Sequence, residues 1–152
     1  MSHRIDAPLH LARVLVALAL GVTTVAAAGQ STGSIVVTAT HPPLSGEVGC
    51  ALFASAEGFP NEANKSRGVR LPASGTTTTC TFDDIAPGTY AVAAFLDTNG
   101  NQLSDRNFVG MPTEPWGVSN GVRPRLRAPR FAEAAFIVTA GQRMTLDIAL
   151  AK

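Results

Sequence analysis

Residues 97–120, DTNGNQLSDRNFVGMPTEPWGVSN, gather the side chains best suited to chemistry. The stretch opens on Asp97, Asn99, Asn101 and Asp105, which fall at the first, third, fifth and ninth places of a calcium loop. Leu103 would lend its backbone carbonyl at the seventh place. The twelfth is Phe108, which cannot ligate, so Glu114 would have to fold back to supply the missing carboxylate. All these donors are hard oxygens, which suit calcium better than zinc or copper. Two side-chain carboxylates with two neutral amides make a weakly charged site, so the expected affinity is about 10⁻⁴–10⁻³ M. The competing reading is an Asx-rich turn, in which the same side chains bond nearby backbone N–H groups. Both readings are open on the sequence alone.

The carboxylates also raise acid/base chemistry. Asp97, Asp105 and Glu114 could flank a cleft as glycoside hydrolases require, but nothing in their spacing demands it. A noncatalytic module is the first expectation, a purely structural protein with a hydrogen-bonded loop the alternative, and a hydrolase the less favoured one. Trp116, beside Pro112 and Pro115, is either a platform for a glycan, peptide or envelope partner or a plug that packs the loop onto the domain. In an extended segment Arg123, Arg125 and Arg127 share one side and could grip phosphate or carboxylate groups. Pro124 and Pro129 keep that segment out of a central strand, and a solvated loop stiffened by proline is the other reading.

Around these residues the chain reads as one domain behind a leader. Arg4 and Arg13 lie in a basic n-region, residues 14–25 are apolar, and Ala26-Ala27-Ala28 offers small residues for cleavage. That is the layout of a secretory signal peptide, over residues 1–28, with the domain over residues 29–152. The apolar run is too short to span a bilayer comfortably, so no transmembrane span is expected after processing. The expected compartment is periplasmic or secreted. Of twelve Lys+Arg and eleven Asp+Glu, cleavage removes Arg4, Arg13 and Asp6 and leaves the two signs balanced. Balance argues against a nucleic-acid binder. His41 becomes the only mature histidine, which removes most histidine-based metal sites and triads.

Short β-branched or alternating runs fill the mature chain, separated by Gly/Pro turns. Strands are expected over residues 34–40, 47–54, 76–82, 89–96, 131–139 and 143–150, with a weak strand or short helical turn in the polar stretch 61–74. Residues 83–88, Asp83-Asp84-Ile85-Ala86-Pro87-Gly88, read as a tight turn. Residues 89–96 are apolar on both faces, which predicts a central strand delivering the chain to Asp97. No amphipathic helix is evident. Together these features predict an all-β fold: a single antiparallel β-sandwich with one long loop. Cys50 shares a face with Val48 and Leu52, and Cys80 with Thr78 and Phe82. In an exported protein such a pair reads as one disulfide, Cys50–Cys80, with two separate buried thiols as the alternative.

Several segments resemble the bacterial domain of unknown function family 2141, a family of small exported proteins. They are residues 46–53 with Glu57-Gly58-Phe59-Pro60, the run TFDDIAPGTYAV from Thr81 to Val92, and residues 97–105. To these are added Gly110-x-Pro112-x-Glu114-x-x-Gly117-x-Ser119-Asn120 and Pro129-x-Phe131-x-x-Ala134. The Phe82 to Tyr90 segment also looks like the strand-turn-strand of transthyretin-like sandwiches. The resemblance implies a prealbumin-like or immunoglobulin-like sandwich and no reaction. The chain departs from the family pattern at Gln102, where the loop usually carries Gly after its third ligand-like residue. A sharp turn there would hold Gln102 at positive φ, a strained place for a residue with a Cβ.

Export is tested by the intact mass of the protein recovered from periplasm or medium. The expected mass corresponds to cleavage near Ala28, and a full-length mass would contradict it.

Overall fold

The computed structural model describes residue 29, residues 31–108 and residues 112–152. The expected signal peptide over residues 1–28, and Gly110 of the motif above, lie outside them. Among the described residues eight strands form two sheets. They are β1 Gly33–Thr40, β2 Glu47–Phe53, β3 Arg67–Pro72, β4 Thr77–Ile85, β5 Gly88–Asp97, β6 Trp116–Val118, β7 Phe136–Val138 and β8 Arg143–Ala149. One sheet has the order β4-β1-β8; the other runs β3-β2-β5-β6, with β7 also paired to β5. The all-β sandwich is as expected.

The core follows from alternation. Ile35, Val37 and Ala39 of β1 are fully buried, while Val36, Thr38 and Thr40 point outward. In the same way Thr78, Cys80 and Phe82 of β4 point inward and Thr77, Thr79 and Thr81 outward. These residues meet Val48, Cys50 and Leu52 of β2 and Val92, Ala94 and Leu96 of β5 in one apolar cluster. Cys50 and Cys80 join the two sheets through that cluster as a disulfide, with Cα atoms 6.5 Å apart.

Several local expectations need correction. The sandwich is not wholly antiparallel: β1 and β8 pair in parallel from Ser34–Arg143 to Thr40–Ala149, because the first and last strands have the whole chain between them as a crossover. The acidic pair Asp83-Asp84 does not begin a turn. It extends β4 to Ile85, with Asp84 at φ 57° beside a register shift opposite Gly33 and Ile35. The end of the long stretch is not loop, since Trp116–Val118 pairs with β5 as β6. Residues 131–139 are not one strand either. A one-turn helix, α1 Phe131–Ala134, precedes β7. His41, just beyond β1, is buried, and its Nε2 lies 3.0 Å from Thr78 Oγ1.

Side-chain bonds from the 119–120 turn explain α1. Ser119 Oγ donates to Ala134 O at 2.6 Å and accepts from Val92 N at 3.0 Å. Asn120, at φ 62°, donates through Nδ2 to the carbonyls of Glu133 and Ala135. These carbonyls would otherwise serve a strand ladder. The bonds fasten α1 against β5, whose outer edge is shared by β7 at Gly88–Tyr90 and β6 at Ala93–Phe95.

The disulfide closes a separation of 30 residues, which in the chain-entropy account stabilises by about 3–4 kcal/mol. Non-reducing mass spectrometry should therefore find one Cys50–Cys80 linked peptide pair. The double variant Cys50→Ala, Cys80→Ala should lose about that much in urea unfolding. Two alkylatable thiols in the native exported protein would refute the bridge.

Candidate functional site

The apolar character of both faces of β5 creates the site. One face packs into the inter-sheet core; the other carries Ala91, Ala93 and Phe95. Register sets these in rows across the outer face of the larger sheet. Arg70, Gly49, Phe95 and Trp116 form one row. The next is Gly68, Ala51, Ala93 and Val118, and the third sets Phe53 beside Ala91. The middle row thus has two alanines at its centre, between rows carrying Phe95 and Trp116 on one side and Phe53 on the other. A trough results.

Three segments wall and roof it. Pro60, Asn61 and Ala63 come from the connection after β2; Leu103, Ser104, Arg106 and Pro112 come from the long loop; Arg127, Ala128 and Pro129 come from the arginine segment. They leave a partly open cavity of about 120 Å³ over Ala51 and Ala93. At one end Phe59 closes the sheet by edge contacts with Phe53 and Phe131, with ring centroids 5.3 and 5.9 Å apart. Gly49 is required under Phe95, because a Cβ there would stand 2.8 Å from the ring.

The loop after β5 is organised by Asp97, which is fully buried. Its Oδ1 accepts from Gly100 N and its Oδ2 from Gln102 N, each at 2.7 Å. Asn99 and Asn101 accept through Oδ1 from the N–H groups of Asn101 and Leu103. Their amide groups donate to the two oxygens of Asp105, at 2.6 and 2.8 Å. The side chains placed at ligand positions by spacing are therefore brought together, in the Asx-turn arrangement. Glu114 does fold back to this loop: its Oε1 accepts from Thr98 N at 2.7 Å and Thr98 Oγ1 at 3.0 Å. Its Oε2 is buried with no hydrogen-bond partner among the described residues. Gln102 sits at φ 64°, the positive φ that the sixth place of such a loop demands. Among the described residues no group of three or more His, Cys, Asp or Glu side chains is gathered as metal ligands. Asp97 and Glu114 are buried and Asp105 is held by two amides, so these acids do not present a shared exposed face to a sugar.

Arg70 ties the loop to the trough. Its Nη2 donates to Gln102 O, its guanidinium carbon lies 5.3 Å from the Phe95 centroid, and its Nη1 lies 3.6 Å from Asp97 Oδ2. The last distance makes an ion pair rather than a hydrogen bond, consistent with Nη1 having no hydrogen-bond partner. Sequence reasoning placed Arg70 in a polar stretch with a weak strand or short helical turn, which β3 bears out, but missed this role; its pairing with Gly49 emerges only from the register of β3.

The three arginines expected on one side are separated. Arg123 stacks on Trp116 at 4.4 Å from the ring centroid and donates to the carbonyls of Trp116 and Ala151. Arg127 grips both carboxylate oxygens of Glu133, while Arg125 is exposed. That grip, aided by the Arg130 N–H, holds the Glu133 carboxyl well below the usual range, at about 2. Trp116 is half-buried: it plugs the sheet edge and also faces the trough.

A two-sheet sandwich with a loop-roofed trough on one outer face defines the class of protein. The chain belongs to the bacterial family described as "uncharacterized protein conserved in bacteria" (DUF2141), which it matches over residues 35–146. No curated protein and no solved structure matches it. The match bears out the resemblance read from the sequence.

Asp97→Ala should cost about 3–5 kcal/mol, because it strands two backbone N–H groups and leaves Arg70 without its ion-pair partner. Denaturant unfolding measures this. A loss under about 1 kcal/mol would mean that the loop is held by other contacts.

Proposed function

We propose that the protein is an exported, noncatalytic module that holds an envelope or extracellular ligand in the trough over Ala51 and Ala93. The observation that carries this reading is the register that sets Ala51 beside Ala93, with Phe53 in the row on one side and Phe95 and Trp116 in the row on the other. Binding pockets are typically concave and apolar, with a few placed polar groups. Export is supported by the three-part N-terminal pattern and by a disulfide, a bond that persists in oxidising compartments. The strand-turn-strand from Thr81 to Val92 supports a prealbumin-like reading of the sandwich. Among the described residues no helix is long and apolar enough to cross a membrane.

Calcium at the Asp97 loop is a second part of the reading. It is favoured by the positive φ of Gln102 and by the unpartnered Oε2 of Glu114. Asp97, Asn99, Asn101, Asp105 and the Leu103 carbonyl would supply the other oxygens once the amides turn from Asp105. Such an ion would firm the loop that walls the trough.

Isotope-labelled mature protein mixed with bacterial envelope extract tests the trough. Shifts are expected at the Ala51 and Ala93 methyls and the Trp116 indole, and they should vanish in Ala93→Leu. Shifts confined to the opposite sheet, or none, would contradict the reading. Calorimetry and melting of metal-stripped protein in millimolar calcium test the ion. Heat with a raised Tm, both lost in Asp97→Ala, is expected; neither would leave the loop held by its own hydrogen bonds.

A further inference from the structure

We infer that the trough takes a small aromatic carboxylate, a planar apolar body carrying one anionic group. This rests on the trough being the binding site. Three observations set the class. The first is charge: Arg70, Arg106 and Arg127 line the cavity, and among the described residues no Asp, Glu or Lys does. Asp97 and Glu133, which pair with Arg70 and Arg127, are outside the lining. Guanidinium groups at a mostly apolar wall favour an anion, and they bind carboxylates through paired N–H groups. The second is shape. The floor is Ala51 and Ala93, between the rings of Phe53 on one side and Phe95 and Trp116 on the other. Aromatic side chains beside an apolar floor suit a ring in edge or offset contact. The third is size. A partly open cavity of about 120 Å³ is of the order that takes a single benzene-sized ring, so a short chain and its carboxylate would project through the open side, and it is too small to enclose a folded partner or a lipid tail of full length.

The carboxylate and the ring have different places. The ring lies over the two alanines, where it replaces water on apolar surface. The carboxylate lies toward Arg106, which enters from the long loop and donates to Asn61 across the trough. Binding would thus add to the Arg106–Asn61 bond that already joins the long loop to the connection after β2.

Trp116 is the only tryptophan in the chain, so its fluorescence reports occupancy directly. The probes are 3-phenylpropanoate and its neutral counterpart 3-phenylpropanamide, titrated into the mature protein with excitation beyond the phenyl absorption. The carboxylate should change the emission saturably. The amide should bind at least about tenfold more weakly, as loss of a charge-assisted bond implies. Arg106→Gln should weaken the carboxylate about tenfold and leave the amide unchanged, and Ala93→Leu should abolish both responses. Equal binding of acid and amide in the wild-type protein overturns the inference, and that comparison needs no variant to fold. Absence of any response, with extract still shifting Ala51 and Ala93, overturns the aromatic carboxylate alone. If extract also leaves the trough untouched, the binding reading itself fails.

Discussion

The structure depends on β5 being apolar on both faces. A strand with Val92, Ala94 and Leu96 on one side and Ala91, Ala93 and Phe95 on the other must be covered twice. The disulfide-linked second sheet covers the first side. No third sheet exists among the described residues to cover the other, so connections do it. The segment after β2 brings Phe59 onto Phe53, α1 brings Phe131 and Ala134, and the long loop brings Leu103 and Pro112. Loops make an incomplete layer, since their backbone groups need water or local partners. The gap they leave is the trough.

The polar residues around the trough mainly make that cover stiff. Asp97 ends β5 and organises the turn beyond it with both carboxylate oxygens. Glu114 secures Thr98 from the returning limb of the same loop. Arg70 reaches from β3 to Gln102 and lies against Phe95, so the sheet edge and the loop share one side chain. Ser119 and Asn120 do the same for α1. Apart from the exposed Asn120, these are buried or half-buried groups bonded largely to backbone atoms, the usual condition for burying a polar group; among the buried side-chain atoms of the described residues only Glu114 Oε2 and Arg70 Nη1 keep no hydrogen-bond partner. The residues lining the trough are thus distinct from those that stiffen it: alanines and aromatic rings form the surface, and the acids hold its walls.

Much of the fold was legible. Alternation identified β1, β2 and β4 and the facing of Cys50 and Cys80, and the double apolar face marked β5 as central. The clustering of Asp97, Asn99, Asn101 and Asp105, and the return of Glu114, were also legible from spacing. What was hidden depends on contacts remote in sequence. Residues 136–139 have strand-like residue types, but Ala132, Glu133, Ala134 and Ala135 favour helix, and the Ser119 and Asn120 bonds hold the helical turn there. The parallel β1–β8 pair joins the two ends of the domain. The trough was the least legible feature, because Ala51 and Ala93 are unremarkable until register aligns them. Arg70 likewise gains meaning only opposite Gly49.

The central claim is that an open apolar cavity lies over Ala51 and Ala93, on the outer face of the larger sheet. Xenon tests it without knowledge of any ligand, because it enters apolar cavities of this kind. Methyl resonances are recorded with and without xenon pressure. The account predicts saturable shifts at Ala51 and Ala93, with the Val37 and Val92 methyls of the inter-sheet core unmoved. Shifts in the core with none at the two alanines would contradict it.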